Sequence, residues 1–173
     1  LDVRGITGLR HSADGPPCEE VDGLRFHRTP GAASGPPGLR EWREIAALTD
    51  AIVKLAGEWR PDVLHAHSPA LCGMAGLRAA RQLGLPLVYE IRAFWEDAAV
   101  GNGTGSEGSI KYRLTRALEN RVVAGADAVM TICTGLRDDL IARGVAPGKV
   151  GIMPNGVDLT LFGDPPPHDT ALA

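Results

Sequence analysis

The chain predicts an α/β fold built on a doubly wound parallel sheet. Short apolar runs with strand character alternate about five times with helical stretches, and the connections between them are short. The run "LPLVYEIR" is almost continuously apolar, as expected of a strand covered by helices on both faces. At 173 residues the chain is the size of one domain.

Taken in order, "VRGIT" and "GLRFHRTP" read as strands separated by the turn-rich "RHSADGPPCEE". "TPGAASGPPG" is a Gly/Pro-rich surface loop. Trp42, Ile45, Leu48, Ile52, Leu55 and Trp59 recur at helical spacing, which predicts a helix from Leu39 to Trp59 with Trp42 and Trp59 in the core. Arg60-Pro61 ends it, because proline lacks the amide proton of the next turn. "DVLHAHS" is a strand, "PALCGMAGLRAARQLG" a helix closed by Gly84, and "LPLVYEIR" the next strand. After the glycine loop, Ser109 caps a helix with Ile110, Leu114, Ala117, Leu118 and Val122 on one face. "DAVMTIC" is a strand, Thr134 caps the short helix "GLRDDLIARG", and "KVGIMPNGVD" is a last strand that ends in an Asn155-Gly156 turn. The tail "GDPPPHDTALA" reads as a linker.

Composition narrows the function classes. Hydrophobic residues make up 44%, charged residues 23%, and the net charge is −3, values of ordinary soluble globular chains. Nothing suggests nucleic acid, whose binders carry a basic excess. Cys18, Cys72 and Cys133 are widely separated and form no CxxC pair, so neither a disulfide framework nor a zinc site is indicated and a reducing cytoplasm fits. No run approaches the roughly 18 apolar residues of a membrane span. The start at Leu1, without methionine, suggests that sequence precedes it.

Several residues carry candidate chemistry. "GNGTGS" matches neither the dinucleotide fingerprint nor a phosphate-binding loop, and reads as a mobile loop or lid. His65 and His67 stand at i and i+2 near a strand end and point to one side. They could bind a metal, but no third ligand is in view; His65 is placed in the sheet and His67 toward a cleft. Arg92 ends "PLVYEI", where a guanidinium could meet a phosphate or carboxylate, or pair internally with Glu90, Glu96 or Asp97. Glu96 and Asp97 are candidate acids or bases, or simply a solvated edge.

"PDVLHAHS", "PLVYEIRAFWED", "RLTRALENRVVAGADAVMTIC" and above all "IMPNGVDLTLF" resemble the amino-terminal half of retaining glycosyltransferases of the GT-B fold, the family 4 group. "YEIRAFWEDAAV" is most similar to bacterial members associated with exopolysaccharide production and the exosortase system.

The resemblance implies a Rossmann-like acceptor-side domain over residues 1–158, with 159–173 as a linker toward a carboxy-terminal donor domain. The family's first strand would precede Leu1. It also implies transfer with retention from a UDP- or GDP-sugar to a glycan or lipid-linked acceptor, without metal or other cofactor. The enzyme would be cytoplasmic and could lie against the inner membrane. Arg92 and His67 would be catalytic, Arg92 standing where many relatives carry histidine. His65, Glu96, Asp97, Asn155 and Gly156 would bind substrate, with Pro154 to Asp158 and Phe162 at the hinge. The fragment alone is expected to be inactive. A non-catalytic binding module, or a sugar-nucleotide epimerase or hydrolase of the same plan, is the alternative.

Overall fold

A computed structural model describes residues 1–11 and 15–163. The expected linker beyond residue 163 and part of the first turn-rich stretch lie outside the described residues. The α/β expectation holds: strands β4 (Leu64–His67), β5 (Leu87–Ile91), β6 (Ala128–Thr131) and β7 (Val150–Ile152) form a parallel sheet in the order β4-β5-β6-β7. Helices α2 (Ala70–Leu83), α4 (Ile110–Gly125) and α5 (Thr134–Ala142) make the crossovers between successive strands. Helix α3 (Trp95–Gly101) lies between β5 and α4.

The amino-terminal strands form a second, three-stranded sheet. β1 (Arg4–Thr7) runs parallel to β3 (Leu24–Arg28), which pairs antiparallel with β2 (Cys18–Val21). β2 is absent from the expected elements, yet its signal is present. Asp22-Gly23 joins β2 to β3 with φ of 50° and 77°, and such a pair favours the two-residue turn that matches strand twist.

Helix α1 covers Leu39–Trp59 as its periodicity predicts, and Arg60 ends it in a left-handed conformation. Its packed stripe begins at Ile45 and continues through Leu48, Thr49 and Ala56, so Trp42, a turn ahead, is 55% exposed instead of in the core. Trp59 is half-buried; its indole donates to Asp2 at 2.7 Å and the Arg4 guanidinium lies 4.9 Å from its ring. The core is centred on β5. Leu87, Tyr89 and Ile91 are fully buried and pack with Leu77, Val122, Val129 and Leu140. A Cβ at Gly73 of α2 would stand 2.6 Å from Tyr89 and 2.7 Å from Val122, so this glycine lets α2 reach the strand and α4 together.

Capping agrees in part. Gly84 closes α2 at φ 67°, and Ser109 Oγ accepts from the Tyr112 amide at 3.2 Å. Thr134 does not cap α5: Cys133 holds the cap position and Thr134 is already inside the helix. On α4, Leu118 and Val122 turn inward, whereas Ile110 is 78% and Leu114 60% exposed, because Glu119, Val122 and Val123 form the buried side. A further short helix, α6 (Leu159–Phe162), opens the stretch read as a linker; Asp158 starts it by accepting from the Thr160 amide.

Candidate functional site

β5 and β4 build the site from alternation. Tyr89 and Ile91 face the core, so Glu90 and Arg92 point to the opposite side. Register sets His67 against Glu90 and His65 against Val88, which brings both imidazoles to the face of Glu90. The strand ends are tied to one another. The Ser68 amide donates to the Glu90 carbonyl at 2.8 Å, and the Arg92 amide to Ser68 Oγ at 3.3 Å.

Glu90 is the centre of the group. Its side chain is 4% exposed, Oε1 accepts from Arg92 Nε at 2.9 Å, and Oε2 lies 3.2 Å from His65 Nε2 and 3.5 Å from His67 Nδ1. A carboxylate buried this far is sustained by a paired cation and by the polar ring atoms beside it. The imidazoles stack with centroids 4.7 Å apart. Burial, and then the neighbouring His67, push His65 below the ordinary imidazole value.

These contacts settle one open alternative, qualify one expectation and correct another. Of the open alternatives, Arg92 pairs with Glu90, through Nε, while its side chain stays 58% exposed. His65 lies in the sheet as expected, but β4 is an edge strand and the ring is 39% exposed beside the 53% exposed His67. A third group able to ligate a metal with the two histidines does exist. It is Glu90, which lies in the next strand and so shows in no local spacing; its signal was a carboxylate inside an apolar strand.

Glu96 is not on a rim. Because α3 begins at Trp95, its side chain turns inward, fully buried, and pairs with Arg143 at 3.0 Å. Arg143, itself 7% exposed, also meets Asp139 at 2.7 Å and lies 3.8 Å from the Phe94 ring. Asp97 stays half-exposed, 3.5 Å from Arg143 and 2.7 Å from the donating hydroxyl of Tyr112. Glu96 is thus part of the fold, and Asp97 is held at the α3–α4 junction.

Asn155 and Gly156 are exposed in an irregular segment after β7, and neither adopts the positive φ expected of a turn. β7 ends at the same edge of the sheet as β4 and β5 but is three strands from β4, on the order of 14 Å at ordinary strand spacing. His65, His67 and Arg92 are therefore brought together, with the hinge pair displaced along that edge.

On the other face of β5, the Tyr89 hydroxyl donates to Glu119 Oε1 at 2.6 Å. Burial raises Glu119 to about 7, opposed by that bond and by the Ala70 amide. The Tyr89 hydroxyl is itself raised by burial. A separate hollow of about 210 Å³ lies between α3 and α4, lined in part by Trp95, Ser106, Lys111 and Tyr112.

Residues 1–156 match the glycosyl transferase 4-like domain, and the chain belongs to that family. It is 33% identical over 153 residues to a GDP-mannose-dependent alpha-mannosyltransferase of Mycolicibacterium smegmatis, covering 85% of this chain and 37% of that protein. It is also 33% identical over 182 residues to a D-inositol 3-phosphate glycosyltransferase of Xylanimonas cellulosilytica, covering 97% of this chain and 41% of that protein. The chain thus spans about two fifths of these relatives. Among solved structures, sucrose-phosphate synthase from Thermosynechococcus elongatus superposes with a TM-score of 0.69 at 17% identity, over 92% of this chain and 39% of that one, a likeness of fold.

Proposed function

We propose that this chain is the acceptor-binding half of a retaining GT-B glycosyltransferase that moves a sugar from a UDP- or GDP-sugar to a glycan or lipid-linked acceptor. The observation that carries the reading is the family match over residues 1–156. The relative whose name specifies GDP-mannose favours a GDP-sugar. The wording of "YEIRAFWEDAAV" supports a role in exopolysaccharide production.

The site supports this chemistry. Ligands of open parallel sheets sit beyond the carboxyl ends of the strands, where His67 and Arg92 stand. With Nε held by Glu90, Arg92 presents its remaining N–H groups to an oxyanion or a sugar oxygen, and it cannot act as a proton shuttle because it stays charged. His67 has its Nδ1 toward Glu90, which leaves its other ring nitrogen for a substrate hydroxyl. An acceptor carried on a lipid would fit α4, whose exposed Ile110 and Leu114 are interleaved with exposed Lys111, Arg113 and Arg121, a face suited to the anionic inner leaflet.

The test is nucleotide release from a panel of UDP- and GDP-sugars with an inner-membrane lipid extract, by the complete reading-frame product and by this chain. Release by the long form alone, dependent on extract, is expected. Release by this chain alone would overturn the half-enzyme reading, and no release by either would overturn the transferase reading.

A further inference from the structure

Beyond glycosyl transfer, we propose that His65, His67 and Glu90 form a binding site for one divalent transition-metal ion of the zinc class. Their ligand atoms all lie within 4.8 Å of one another. Two imidazole nitrogens and one carboxylate oxygen are a donor set that zinc accepts, whereas calcium and magnesium favour oxygen alone. The spacing fits as well. With bonds of about 2.1 Å, the ligand atoms of a tetrahedral ion stand about 3.4 Å apart. Glu90 Oε2 lies 3.2 Å and 3.5 Å from the two imidazole nitrogens, and the half-exposed rings, whose ligand nitrogens lie within 4.8 Å of each other, would draw together on binding.

The frame that holds these atoms is regular strand, not loop. His65 and His67 share a face of β4 by alternation, and Glu90 is fixed opposite His67 by the β4–β5 register. The unused oxygen of Glu90 already accepts from Arg92, and such an outer hydrogen bond orients a ligating carboxylate. Three protein ligands leave a fourth position for water or a substrate oxygen. The guanidinium opposes a cation, so binding is weaker than in a closed structural site, with a dissociation constant of roughly micromolar order.

Chelator-treated protein titrated with Zn²⁺ by isothermal calorimetry tests the proposal, without any sugar substrate, so its outcome is independent of the transferase reading. One ion per chain is expected, with affinity falling at least about tenfold in both His65→Gln and His67→Gln. Both rings are substantially exposed, so neither variant endangers the core. Thiols also bind zinc, and the Cys18→Ser, Cys72→Ser, Cys133→Ser triple variant is expected to keep the site. Co²⁺ in place of zinc is expected to give visible bands of tetrahedral type that both histidine variants lose. Binding no tighter than about millimolar, or binding unchanged in both histidine variants, would overturn the proposal.

Discussion

Two carboxylates meet β5 from opposite faces, and they are compensated in opposite ways. Glu90 faces the half-open side with a guanidinium at 2.9 Å and two imidazoles beside it. Glu119 reaches the covered side from α4, where the phenol of Tyr89 donates to it. At Glu119 burial outweighs the phenol and the Ala70 amide that oppose it, and the carboxyl is raised to about 7. The two faces of β5 thus meet a polar cluster at the strand end and an acid from α4 enclosed in the core.

Glu96 gives the sharpest test of what pairing contributes at depth, since it is buried like Glu119 but meets a guanidinium. Glu96→Ala leaves Arg143 buried without its innermost partner, and an unpaired buried charge costs about 3–5 kcal/mol. Chemical denaturation is expected to show a loss at the lower end of that range, because Asp139 still meets Arg143. A loss below about 1 kcal/mol would mean that pairing contributes little here.

Glu119 gives the next largest effect, and its sign is opposite to that of a paired acid. Its folded pKa lies above the ordinary value of 4.5, so its contribution to stability is full below about pH 4.5 and is lost as pH rises toward about 7. The loss is roughly 3 kcal/mol at most. Glu119→Gln keeps an acceptor for Tyr89 and is expected to flatten that part of the stability profile and to stabilise the protein at pH 8. Denaturant midpoints measured every half unit of pH would check this.

Arg92→Ala has the smallest expected effect on folding. Its guanidinium is more than half exposed and the two imidazoles stay beside Glu90, so the cost is expected to lie below that of Glu96→Ala even though Glu90 loses its cation. Turnover by the complete reading-frame product should nonetheless fall at least about tenfold, a change equivalent to about 1.4 kcal/mol in the barrier. Retained turnover with lost stability would make the Glu90–Arg92 pair a structural bridge.

How much of this was legible follows from the range of each signal. Periodicity placed α1 from Leu39 to Trp59 and the four strands of the parallel sheet, because those patterns repeat within one element. Helix α3 is only seven residues long, too short for a helical period to stand out, and so Glu96 was read at the edge of a loop. Asp22-Gly23 was a local signal that the turn-rich surroundings obscured. Tyr89 and Glu119 are 30 positions apart, and Glu96 and Arg143 are 47, so neither pair leaves a trace in spacing. For the candidate site, alternation placed His65 with His67, but their link to Glu90 depends on which strand lies beside β4.

The exposed, irregular placement of Asn155-Gly156 has a chemical consequence for the life of the molecule. An asparagine side chain followed by glycine is poorly shielded from attack by the next backbone nitrogen, and no strand or helix holds this one in a geometry that prevents ring closure. Slow deamidation there would expel ammonia and leave a carboxylate after hydrolysis of the ring, in part with an extra carbon inserted into the main chain, in the segment that follows the last strand. Aged protein is accordingly expected to become a mixture of charge forms, with the exposed Asn102-Gly103 after α3 as a second such position.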